Sequence, residues 1–339
     1  MLKQRTMYLD VAKGIGIILV VLGHMYQFFP YGGRVNSIIA SVHMPLFLVI
    51  SGYCVTVKAE ESPSGFITKK FDRLIKPYFA FAVLSLLLYW PENAARTSAY
   101  VSGIFFANGI SAHIDFNTPL WYLPFCFMGT CIFYWILRLS ERFSDVRKRI
   151  AAELLLTLAA IGLGYAIRHH YQRLPWSAEL ALMVQGLYLF GHWCKLLEGK
   201  IEKKWFGILI PAAFLLWVFG VKTNSFVDIN AASFGSMHLF YMTAVAGVFL
   251  LLALAKGLAH VPVVQSVLSL CGKNSLYIMA FHIPTAMFAQ DVVLGYMPKL
   301  IQQNFGCKNI IGISYQLICS IAVCLFVALL CKKTEKPRT

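Results

Sequence analysis

Ten apolar stretches, each close to the roughly 20 residues that an α-helix needs to cross a bilayer, recur along this chain of 339 residues and constrain its fold more than any other feature. Inside hydrocarbon only a helix or a closed barrel satisfies every backbone N–H and C=O, and the long unbroken runs fit helices. The chain is therefore read as an all-α membrane protein of about ten transmembrane helices, near 7–29, 36–57, 75–90, 118–138, 150–168, 179–194, 205–221, 236–255, 274–295 and 311–331. Two further apolar pieces, 99–107 and 261–271, are too short to cross and read as re-entrant or interfacial segments. Composition agrees: 58% of residues are hydrophobic and only 13% charged, with a mean hydropathy of +0.66. A water-soluble globule carries about a quarter charged residues.

The formal net charge of +15 would suit nucleic acid if it lay on one polar face. Here it lies in the loops between apolar runs, so nucleic acid is not the expected partner. Assigning alternate loops to alternate sides places Lys58, Lys69, Lys70, Arg73, Arg147, Lys148, Lys203 and Lys332 together, with both termini cytoplasmic. Basic residues are then enriched roughly three to one on the cytosolic side, as the positive-inside rule requires. The loops are short, so residues 1–339 read as a single membrane domain with no appended soluble unit. The first span contains Asp10 and Lys13 and lacks a small-residue cleavage site, so it is expected to stay in the chain. Most of the nine cysteines lie in or beside apolar stretches and form no CxxC, which reads as packing.

Chemistry is then expected where polar residues interrupt the spans. Lys13 and His24 share one face of the first helix, three turns or about 16 Å apart. Asp10 lies one turn before Lys13, within pairing reach. His43, several residues inside the outer end of the second span, matches His24 in depth, and Pro45 frees a carbonyl near Ser41. Two imidazoles at one depth suit acid–base work near neutral pH, or a metal pair; no third ligand stands at metal spacing, so no metal is expected. Lys70, Arg73 and Lys76 share one side of a helix entering the membrane from the cytosol, where they could hold a polyphosphate donor or serve only as topological charge. Asn274 and Ser275 open a later helix that carries Tyr277 and then His282 to mid-membrane, while Trp121 stands at the outer end of the fourth span, where an interfacial belt also places tryptophan.

Five stretches in order, DVAKGIGIILVVLGH (10–24), HMPLFLVISGY (43–53), KFDRLIKPY (70–78), LWYLP (120–124) and NSLYIMAFHIP (274–284), resemble acyltransferase family 3, and in wording its fucose 4-O-acetylase-like branch. The resemblance implies a bacterial cytoplasmic-membrane enzyme. Such an enzyme takes an acetyl group from cytosolic acetyl-CoA to a hydroxyl of a sugar, glycan or lipid-linked saccharide of the cell envelope. It implies His24 as general base, with Lys13, His43 and Asp10 beside it; Lys70, Arg73 and Lys76 on the CoA phosphates; and Trp121, Asn274, Ser275, Tyr277 and His282 around substrate. Lys13 and Lys70 stand where relatives usually carry Arg, which keeps the charge and loses the bidentate fork. Two routes fit these residues, direct transfer and a transient acyl-His24. The rival class is a polytopic exporter of a glycolipid or polysaccharide intermediate. Against it stand the absence of mid-membrane carboxylates and of two similar halves in the sequence.

Overall fold

The computed structural model describes residues 7–25, 33–93, 96–109, 115–171, 173–296, 313–314, 317–326 and 329. Among them the chain is a helical bundle whose order is α1 (Met7–Met25), α2 (Gly33–Ala40), α3 (His43–Cys54), α4 (Pro63–Asn93) and α5 (Thr97–Phe106). A 3₁₀ turn (Asp115–Trp121) leads into α6 (Tyr122–Ser140), followed by α7 (Val146–His170), α8 (Ala178–Met183) and α9 (Gln185–Leu197). Then come α10 (Lys203–Thr223), α11 (Met237–Leu258), α12 (Pro262–Lys273) and α13 (Ser275–Tyr296), and a short apolar helix, α14, at Leu317–Phe326.

Six of these helical spans are long and apolar enough to cross a membrane, or seven if α9 and the short helices before it count as one span bent by 60°. This makes the chain a multi-pass membrane protein. The other expected spans differ in form. The 75–90 run is the second half of α4, whose first half carries the basic cluster. The 36–57 span is α2 plus α3 with a break at Ser41 and Val42, next to Pro45. There the Ser41 hydroxyl donates to the Ile38 carbonyl at 2.7 Å and accepts from Trp217 at 3.1 Å. The 274–295 span is α13, bounded at Ser275 by Asn274, whose amide donates to Leu270 O at 2.8 Å. Parts of the 311–331 span, the end of the first, and both chain termini lie outside the described residues.

Burial sorts the helices. α7 and α10 turn Leu155, Leu158, Ile208, Phe214 and Leu215 outward, the dress of helices whose neighbours are lipid tails. α1, α3, α6 and α9 are enclosed, and their contacts rest on small residues. A Cβ on Gly52 would overlap the Tyr188 backbone, and one on Gly191 would overlap the Val49 carbonyl, so α3 and α9 touch backbone to backbone. Gly14 and Gly272 do the same for α1 and α12, meeting Leu268 O and Asp10 O. The short apolar segment 261–271 is thus a helix clamped to the first part of α1, and 99–107 forms α5.

Candidate functional site

A cavity of about 740 Å³ lies at the centre of the bundle, walled by α1, α2, α3, α4, α6, α12, α13 and the connection between α10 and α11. Eight of the twelve residues singled out in the sequence line it: Lys13, His24, His43, Lys70, Arg73, Trp121, Ser275 and Tyr277. They come from all five of the stretches quoted above.

One end of the cavity is cationic. Lys70 and Arg73, one helical turn apart on α4, are joined there by Lys273 at the end of α12 and by Lys13. Among the described residues Lys70, Arg73 and Lys273 make no ion pair, whereas their neighbours do: Lys69 pairs with Glu61 at 2.6 Å and Lys76 with Asp72 at 2.7 Å. Lys76 is exposed and is not part of the wall, so the i, i+3 spacing that grouped it with Arg73 did not carry it to the site. The Lys70 ammonium lies 5.2 Å over the Phe66 ring. Burial first, and the nearby Arg73 second, hold its pKa below the usual lysine value. Cations without an ion-pair partner at the mouth of a cavity set up a positive potential there, which favours an anion. Lys273 was missed in the sequence because a lone lysine at a helix end reads as ordinary positive-inside charge.

The other end holds imidazoles. His24 faces the cavity, and the ring of His282 stacks on it with centroids 5.0 Å apart and 16° between planes. His282 is fully buried. Its Nδ1–H points at the carbonyls of Met279 and Ile278, at 2.8 and 3.0 Å. Its Nε2 has no partner among the described residues. His43 opens α3 just after the Ser41–Val42 break, and its Nδ1–H donates to Ile39 O at 2.8 Å. Since a carbonyl accepts only an N–H, Nδ1 of each ring carries a proton, and in the neutral form the lone pair lies on Nε2. His24 has no hydrogen-bond partner among the described residues, which leaves both its nitrogens to whatever enters the cavity. Depth matching paired His24 with His43; the structure adds His282, from a helix far away in sequence, as the ring in contact.

The remaining residues fall into place around these ends. Asp10 is buried at the α1–α12 contact and is not in the wall. Asn274 holds the joint between α12 and α13. Trp121 is only 4% exposed and lines the cavity, so it is not a belt residue at the lipid surface. The 224–236 connection, which drew no notice in the sequence, contributes Asp228, Ile229 and Asn230 to the wall near His43. A polar loop of this length carries no local signal, and only its packing places it over the cavity. Among the described residues no three His, Cys, Asp or Glu side chains gather so as to hold a metal ion.

A membrane-embedded helical bundle with a cationic end, a set of imidazoles and a cavity joining them has the parts of a group-transfer site. The sequence profile of the acyltransferase domain family (acyltransferase 3) matches residues 7–332, nearly the whole chain, and the chain belongs to that family. It is also 33% identical over 141 residues to nodulation protein NolL of Sinorhizobium fredii, a match covering 39% of this chain and 34% of that protein. A second match is to nodulation protein NolL of Mesorhizobium japonicum, 33% identical over 94 residues, covering 26% of this chain and 23% of the relative. The chain thus spans about a third or less of these curated relatives in the matched regions. No solved structure matches it.

Proposed function

We propose that this protein is a membrane O-acetyltransferase that moves acetyl from cytosolic acetyl-CoA to a sugar hydroxyl of a cell-envelope glycan or lipid-linked saccharide in a bacterial cytoplasmic membrane. The observation that carries the reading is the pairing, within one cavity, of three unpaired cations at one end with His24 and His43 at the other. A cavity of about 740 Å³ has room for roughly one drug-sized ligand. It cannot enclose a whole acetyl-CoA together with an acceptor. The bulky, multiply charged nucleotide therefore stays at the Lys70, Arg73 and Lys273 mouth, and only the uncharged pantetheine arm enters. Lys13 stands part-way in, about 16 Å below His24, a span an extended pantetheine arm can bridge. His24 takes the acceptor hydroxyl proton as the oxygen attacks the thioester carbonyl, and the CoA thiolate leaves toward the cations. His282 holds the His24 ring in place by stacking, and His43 assists from the facing helix. Ten spans with both termini cytosolic, the arrangement that the distribution of basic residues supports, put the cationic mouth in the compartment where acetyl-CoA is made.

Donor kinetics test this. Arg73→Ala is expected to raise the KM for acetyl-CoA by roughly tenfold or more, the scale of one lost charge-assisted contact of 1.5–3 kcal/mol. Lys76→Ala, one turn further along the same helix but paired with Asp72, is expected to change it by less than about twofold. Equal effects of the two substitutions would show that the basic cluster sets topology only.

A further inference from the structure

The 224–236 connection is not a slack loop. Asp228 and Ser233 exchange both backbone hydrogen bonds, at 2.8 and 2.9 Å, and Ala232 between them sits in the left-handed region at φ 56°. The Asn224 side chain spans the turn, donating to Phe234 O at 3.0 Å and accepting from Ser236 N at 2.9 Å. Asn230 is tied to the rest of the bundle from two sides: its amide donates to Gly109 O at 3.1 Å, and Arg173 donates to its carbonyl. Asp228 and Asn230 are therefore held against the cavity, at the end where Asn36 of α2 and His43 also line it.

What these side chains leave open is specific. One Asp228 carboxylate oxygen accepts from Ala231 N at 3.1 Å; the other has no partner among the described residues. The Asn230 side-chain oxygen is buried without one, and the Asn36 amide makes no hydrogen bond among the described residues. The vacant groups are thus mostly acceptors, which calls for a ligand rich in O–H donors. Among the described residues Asp228 is the one charged residue in this part of the wall. Arg173, which interacts electrostatically with Asp228, is held by Glu179 at 3.5 Å and by the Asn230 carbonyl. The cations that could neutralise an anionic ligand, Lys13, Lys70, Arg73 and Lys273, line the opposite end.

We propose that this mouth is an acceptor subsite selective for uncharged, polyhydroxylated sugars, in which Asp228 accepts a hydrogen bond from a sugar hydroxyl and rejects glycans bearing a carboxylate there. The inference rests on the acetyltransferase reading for the role of the sugar, while the chemistry of the mouth stands on its own residues. Like charge at close range costs enough to decide specificity.

The test uses the full chain in lipid nanodiscs without acetyl-CoA, with saturation-transfer NMR of methyl β-D-glucopyranoside against its uronate, which replaces the C6 hydroxymethyl by a carboxylate. The wild type is expected to bind the neutral glycoside saturably and the uronate roughly tenfold or more weaker. Asp228→Asn preserves the side-chain oxygen that Ala231 N needs, so the turn survives, and the two glycosides are expected to bind within about twofold of one another. Equal binding by the wild type, preference for the uronate, an unchanged ratio in Asp228→Asn, or saturable binding of neither glycoside would overturn the proposal. Sugar discrimination that holds in a protein unable to consume acetyl-CoA would support this subsite and remove the proposed reaction instead.

Discussion

His24→Ala is expected to lower acetyl transfer by about 10²–10⁴-fold, the usual contribution of a positioned general base, while protein yield and membrane insertion stay near normal. The ring faces the cavity and carries no hydrogen bond of the fold among the described residues, so its removal costs the fold only the stack on His282. Transfer rates with purified protein, and yield by size-exclusion chromatography, check both halves. His43→Ala is expected to cost less if His43 only assists, and as much as His24→Ala if the two act as one unit. Lys13→Arg should retain much of the activity, since it keeps the charge, whereas Lys13→Ala should lose most of it. A His24→Ala protein that acetylated at the wild-type rate would leave export of a glycolipid as the reading to pursue.

The second large effect is structural. Gly191→Ala is expected to abolish the folded protein or to destabilise it by about 3 kcal/mol or more, at the upper end of overpacking costs. The added methyl would overlap the Val49 carbonyl and crowd the Tyr53 backbone, and neither is a flexible side chain that can swing away. Because Gly52 makes the reciprocal contact on Tyr188, α3 and α9 would have to separate along their whole shared length, and α3 carries His43 into the cavity. Gly207→Ala on α10 is the control. Nothing lies within 4 Å of its added methyl, and alanine is the better helix former by about 1 kcal/mol. Thermal unfolding monitored by size-exclusion chromatography in detergent should show the Gly191 variant lost or strongly lowered and the Gly207 variant unchanged or slightly raised.

What the sequence could reveal follows from what is local. Apolar runs fix helices because hydrocarbon leaves the backbone no other partner, so the helical character and most helix positions were legible. The break between α2 and α3 was foreshadowed by Pro45, which frees a carbonyl one turn back. Lys13 and His24 could be placed on one face by helical period alone. The 60° bend before α9 was not legible. It sits at Val184 and Gln185, where the Gln185 amide donates to Ala181 O at 2.7 Å and to Gly129 O of another helix at 3.2 Å. The His24–His282 stack was out of reach for the same reason, since depth can be estimated from a span but the neighbour of a helix cannot. Lys76 shows the converse case. Its spacing matches the cluster, yet it pairs with Asp72 one turn earlier, and i, i+4 spacing alone allows either partner.

The central claim is that one cavity takes its acyl donor from the face bearing Lys70, Arg73 and Lys273. It is tested most directly by following thioester consumption in inverted and right-side-out membrane vesicles, with membrane-impermeant acetyl-CoA added outside. Inverted vesicles, which present the cationic mouth, are expected to consume acetyl-CoA in a manner abolished by His24→Ala, and right-side-out vesicles are expected to leave it intact. Consumption by intact right-side-out vesicles, with none by inverted ones, would place the donor at the Asp228 and His43 end and contradict the account.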